Sequence, residues 1–110
     1  MRWSRRWGLA VVTGDSMRPT LLPGDRLLVQ YGARPAPGLI VQARFPDGTL
    51  VVKRVARAQE TASGRPGWYL LSEDPEVGVD SRHRGPVPEA DVLAVVRLRV
   101  APWPARLPRR

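Results

Sequence analysis

The sequence has no cysteine, a single histidine (His83) and a single lysine (Lys53). Without cysteine, neither disulfides nor thiolate metal sites can hold the fold. One histidine argues against a histidine-based metal centre, so neither a metal nor a cofactor is expected. Aromatic residues make up 6% of the chain, and no strand interleaves them with basic residues as a base-stacking platform would require. Nucleic acid is therefore a poor candidate partner. Long apolar runs are also missing. The best, Trp7-Gly8-Leu9-Ala10-Val11-Val12, falls far short of the roughly 20 residues that span a bilayer. It is too short for a convincing signal-peptide core, and no small-residue cleavage site follows it. The sequence thus reads as soluble and cytoplasmic or as peripheral to a membrane. The Trp3, Trp7, Arg2, Arg5 and Arg6 cluster leaves contact with a membrane interface open.

What the chain does have is arginine. Its 110 residues carry 18 Lys and Arg against 10 Asp and Glu, a net charge of +8, and all the cations but Lys53 are arginine. Basic charge favours anionic partners, although an arginine-rich genome gives the same bias. The isolation of Lys53 is more informative. Arginine stays charged in proteins, whereas a buried lysine can lose its proton.

The length fits one domain. Twelve prolines and ten glycines cut the chain into short pieces. Residues 26–31, 39–45, 49–58, 67–72 and 91–100 are rich in Val, Leu and aromatics and bounded by turn residues, which predicts strands. Pro46-Asp47-Gly48 predicts a hairpin turn and residues 62–67 a second turn. Helical periodicity is weak, with one short turn expected near Pro19 to Leu22. The pattern predicts a mostly β fold, a small antiparallel β barrel or sandwich. A basic, aromatic segment (1–12) would precede the main domain (13–100), and a Pro/Arg-rich extended tail (101–110) would follow it.

Two places carry possible chemistry. Ser16 lies in the tight turn Gly14-Asp15-Ser16-Met17-Arg18-Pro19-Thr20-Leu21. Gly14 permits backbone angles closed to other residues, and Pro19 restricts Arg18. Such a turn can present a hydroxyl outward and aim the Ser16 amide at a developing oxyanion; it can equally be a plain turn or helix cap. Lys53 sits in Thr49-Leu50-Val51-Val52-Lys53-Arg54-Val55, where alternation places it on one face with Val51 and Val55. An ammonium between valines is desolvated, which favours the neutral amine and lowers the pKa from its free value of about 10.4. A neutral lysine can take a serine proton. A lysine that snorkels from an edge strand would be inert. In a third cluster, residues 72–87, Asp80 and Arg82 are placed to form an ion pair that closes a loop.

Taken together, these segments resemble the signal peptidase I (S26) family of serine endopeptidases. Ser16-Met17-Arg18-Pro19-Thr20-Leu21 is similar to the family's nucleophile box, Ser-Met-x-Pro-Thr-Leu. Gly24-Asp25-Arg26-Leu27-Leu28-Val29 is similar to the next box, and Lys53-Arg54-Val55 to the general-base box. Residues 72–87 resemble the last, Gly-Asp-Asn followed by Asp-Ser-Arg and Gly-x-Val. Four boxes in order over residues 13–96 are specific in combination. The short chain, which shows no anchor helix, and Tyr31-Gly32-Ala33-Arg34 look most like the maturation proteases of nickel-type superoxide dismutase. The resemblance implies a β-rich peptidase with Ser16 as nucleophile, Lys53 as general base and the Ser16 amide as an oxyanion donor. Gly14, Met17 and Pro19 would support the site, and Asp80, Ser81 and Arg82 would brace its loop. The implied partner is a protein or peptide with an N-terminal leader.

The chain departs from that pattern in places. Gly14 stands where some members place an oxyanion-hole serine, Ser72-Glu73-Asp74 replaces Gly-Asp-Asn, and Gly78 replaces a serine that orients the lysine amine. Something else, such as Ser81 or a backbone carbonyl, must then steer Lys53. Other readings stay open. They are a Ser16/His83/Asp80 triad, a membrane-associated type I signal peptidase, and a basic β barrel that binds nucleic acid. The related S24 class of self-cleaving repressor-type peptidases is another, although no Ala-Gly dipeptide precedes Ser16.

Overall fold

A computed structural model describes residues 6–110 as eight strands in one antiparallel sheet, curled into a half-barrel. The strands are β1 (Arg6–Val11), β2 (Arg26–Tyr31), β3 (Ile40–Arg44), β4 (Leu50–Ala58), β5 (Gly67–Leu71), β6 (Val87–Pro88), β7 (Val92–Ala101) and β8 (Ala105–Arg106). Their order is β1-β2-β7-β3-β4-β5-β6, with β8 paired to β7. The mostly β fold expected from the sequence is the observed one. Each expected strand is present, with ends shifted by a residue at most. Pro46-Asp47-Gly48 turns β3 into β4, closed by Phe45 N–H on Thr49 O (2.9 Å). Residues 62–67 join β4 to β5 across the Thr61 N–H···Arg65 O bond (2.8 Å).

Strand β1 is absent from the sequence expectation. Its outward residues Trp7, Leu9 and Val11 are exposed, so it lacks the alternation of an amphipathic strand, and pairing with β2 (Leu9 opposite Leu28) determines it instead. Of the Trp/Arg cluster, Arg6 and Trp7 lie exposed in β1; Arg2, Trp3 and Arg5 fall outside the described residues. Segment 101–110 is extended but anchored. Its β8 pairs with β7, Leu107 packs on the core, and Arg110 N–H reaches Gly38 O (3.2 Å). The expected helical turn lies slightly earlier, where Leu21 N–H donates to Met17 O (2.8 Å). The longer helical piece is elsewhere, at α1 (Ser81–Arg84). Among the described residues no helix is long and apolar enough to cross a membrane.

The curl of the sheet divides the core. One cluster joins Ala10, Val12, Met17, Leu21, Leu27, Val29, Ile40, Ala94 and Val96. The other joins Val41, Ala43, Phe45, Val55, Trp68, Leu70, Val87 and Val95. Met17 and Leu21, inside the first cluster, flank the serine turn at the level of packing rather than of chemistry. Leu21→Ala would leave a cavity beneath that turn, so it should lower stability by about 2–4 kcal/mol, read as a urea midpoint shift at unchanged slope.

Candidate active site

Ser16 follows Gly14, whose φ of +72° is in the left-handed region that glycine adopts without strain. Met17 anchors the turn in the core, and Arg18 N–H closes it on Asp15 O (3.1 Å). Pro19 follows through a cis peptide bond. Among the described residues the Ser16 amide has no hydrogen-bond partner, so it is available to an anion at the hydroxyl. This turn stands over β4, and the two strongest candidates meet: Lys53 Nζ donates to Ser16 Oγ at 3.0 Å.

Lys53 is 3% exposed. In the ladder it lies opposite Val41, on the face that Val51 and Val55 share, as alternation predicts. None of the ion pairs among the described residues includes it. Burial is the main influence on its amine and pushes the pKa below the ordinary lysine value. The Asp80 charge opposes that shift, and Arg82 adds to it. Its second neighbour is Ser72, whose Oγ accepts from Nζ at 2.9 Å. Ser72 thus supplies the second hydroxyl at the lysine amine. Ser81, the expected substitute, is engaged elsewhere, with its Oγ accepting the Leu70 amide (2.9 Å). The sequence reading missed Ser72, treating it only as a departure from Gly-Asp-Asn. The available signal was its place at the end of a strand adjacent to β4 in the sheet.

Gly78 explains why the hydroxyl comes from elsewhere. Its φ is +79°, and a Cβ there would lie 2.9 Å from Ser16 Cβ and 3.5 Å from Lys53 Nζ. A side chain at this position would crowd Ser16 and Lys53 in a strained backbone. Loop 72–80 therefore wraps Ser16 closely, and Asp74 N–H also bonds Ser16 O (2.9 Å).

Asp80 fixes that loop. One carboxylate oxygen accepts the Ser72 amide (2.8 Å) and an Arg82 guanidinium nitrogen (2.6 Å). The other accepts the Arg82 amide (3.0 Å) and Arg82 Nε (3.1 Å), capping α1. Burial alone would raise its pKa, but the Arg82 and main-chain hydrogen bonds outweigh burial and hold the carboxyl well below the usual range. Asp80 and Arg82 thus form an ion pair within the loop. His83 completes the capping box, with Nδ1 accepting the Asp80 amide (3.3 Å). That engagement argues against a base role toward Ser16.

Ser16 and Lys53 open onto a groove of about 620 Å³ whose walls include Leu9, Val11, Leu50, Val52 and Val79. The size suits an organic ligand or several residues of peptide.

The family model described as Peptidase S24-like matches residues 4–94, well over half of the chain and all of the site. No curated protein matches the sequence. The chain belongs to the Peptidase S24-like family, in the S24/S26-related superfamily of serine peptidases. It is a serine-type peptidase in general terms.

Asp80→Ala would strip two main-chain amides and a guanidinium of their acceptor, at a cost of about 3 kcal/mol near neutral pH. Because the folded-state pKa is depressed, this contribution is full above the unfolded value and fades as pH falls through the folded one. The gap between wild type and variant in thermal unfolding should therefore narrow below about pH 4.

Proposed function

We propose, with membership of that family as the premise, that the chain is an endopeptidase in which Ser16 is the nucleophile and Lys53 the general base. The observation that carries this reading is the 3.0 Å contact between Ser16 Oγ and a buried amine that has no ion-pair partner among the described residues. Once Lys53 is neutral, the contact reverses and the serine O–H donates to Nζ. Ser16 Oγ attacks the scissile carbonyl as its proton passes to Nζ. The tetrahedral oxyanion is met by the Ser16 amide. Collapse breaks the C–N bond, and Nζ returns the proton to the leaving amine. Water, deprotonated by the same amine, then hydrolyses the acyl-enzyme.

The groove supports an extended peptide as substrate. Among the described residues β1 is an edge of the sheet, and β4 pairs with β5 only from Arg54 onward. Leu50–Lys53 thus keep one main-chain edge unpaired by β5, close to a second unpaired edge. A peptide can add to such edges by main-chain hydrogen bonds, its side chains entering the apolar walls. The reading extends to removal of an N-terminal leader from a protein substrate. Tyr31-Gly32-Ala33-Arg34 favours a nickel-type superoxide dismutase precursor as that substrate. Removal of a leader is cleavage in trans, with the scissile bond supplied by another chain. The purified chain should then keep its full mass at mildly alkaline pH.

Ser16→Ala and Lys53→Ala should each abolish cleavage of the dismutase precursor while circular dichroism stays unchanged; activity in either would sink the dyad. Ser72→Ala, which frees the amine to rotate, should lower kcat about tenfold with KM little changed. As the amine must be neutral, kcat/KM should rise with pH through the depressed Lys53 pKa and then level off.

A further inference from the structure

Arg54, next to the proposed base, faces the other way. In the ladder Lys53 is opposite Val41 of the second core cluster, and Arg54 is opposite Ile40 of the first. Arg54 is 6% exposed, and its partners are unusual in how far apart they lie in the chain. One terminal nitrogen donates to the carbonyls of Gly38 (2.9 Å) and Pro108 (2.6 Å). The other donates to the Glu73 carboxylate, itself buried. The same Glu73 oxygen accepts the Thr20 hydroxyl at 2.7 Å. Burial would raise the Glu73 pKa, but its hydrogen bonds from Arg54 and Thr20 prevail and hold it down.

This one buried ion pair therefore joins the strand of Lys53, the turn of Ser16 and the loop of Ser72. A buried guanidinium is costly unless its donors find acceptors; both terminal nitrogens of Arg54 find them, while Nε is buried with none among the described residues. One of its carbonyl acceptors comes from segment 105–110. That segment is seated by β8, by Leu107 against the core, and by Arg109 Nε on Pro37 O (3.1 Å). It is further seated by Arg110, whose amide reaches Gly38 O (3.2 Å) and whose guanidinium lies 3.8 Å from Glu73.

We propose that segment 105–110 is a positioning strap: by giving the Pro108 carbonyl to Arg54 it holds the Arg54–Glu73 pair, and through that pair the spacing of Ser16, Lys53 and Ser72. The inference rests on the dyad reading for its effect on rate. Without the strap, Arg54 must draw water or turn away. Glu73 then relaxes, and with it Thr20 and the loop that carries Ser72. The groove walls from β1 lie outside this network, so peptide binding should survive where turnover does not.

The test removes residues 107–110 and follows two signals. One is the saturation kinetics of a tagged alkyl fluorophosphonate on Ser16. The other is the pH titration of the lysine Cε carbon in protein grown on carbon-13 lysine, which reports Lys53 alone. The maximal labelling rate should fall about tenfold at a nearly constant half-saturating concentration, and the Lys53 midpoint should move up toward the free-lysine value. In Arg109→Ala/Arg110→Ala, which spares the core and Pro108, both signals should move the same way, the rate by about threefold. That pair decides the matter alone if the shortened chain does not fold. Unchanged rate and unchanged midpoint in the folded variants would overturn the strap. If the wild-type protein does not react with the probe, the dyad reading fails instead, and the Lys53 midpoint still reports on the strap.

Discussion

A buried lysine amine at the edge of a groove, with hydroxyls on two sides and no carboxylate in contact, is the constraint on which the rest of the site depends. Burial disfavours its charge, and a touching carboxylate would restore that charge. The nearest acidic influence is Asp80, yet both of its oxygens are committed to Arg82 and to the amides of Ser72 and Arg82. Asp80 therefore shapes the loop without pairing with the amine. Ser72 and Ser16 can bond Nζ in either protonation state, because a hydroxyl both donates and accepts. The same arrangement that makes the ammonium unfavourable leaves the neutral amine with partners.

Strand β4 sets two cations side by side and gives them opposite tasks. Lys53 points to the groove, where the proposed mechanism needs a group able to lose its proton. Arg54 points to the other face, where several fixed donors are needed to join Gly38, Pro108 and Glu73. The residues are not interchangeable there. Arginine at 53 would stay charged, and lysine at 54 lacks the planar fork that spans separate acceptors. In a chain that otherwise uses arginine throughout, the proposed mechanism gives the single lysine a task that arginine cannot perform.

Much of this was legible in the sequence. The strands from β2 to β5 and β7 stood out because Val and Leu runs ended at Gly/Pro turns, and the Lys53 face followed from alternation. The Asp80–Arg82 ion pair was one of two open readings of its loop, and its bracing role came only from the family resemblance. What was hidden depended on distance in the chain. β1 alternates poorly and is defined by its partner β2. Ser72, separated from Lys53 by a hairpin, reaches it only after β5 folds back on β4. The anchoring of 101–110 was illegible for the same reason. Pro/Arg-rich composition reads as a free tail, and only the buried guanidinium of Arg54 shows why its carbonyls are held.

The central claim is that Lys53, neutral when active, draws the proton from Ser16. Because Lys53 is the only lysine, carbon-13 lysine gives a wild-type titration with one Cε signal. Its midpoint can be set against the pH dependence of Ser16 capture by the fluorophosphonate. The account predicts a midpoint below the ordinary 10.5, coinciding with the rise in capture rate. A Lys53 that titrates at the ordinary value, or a Ser16 that reacts without regard to that midpoint, would contradict it.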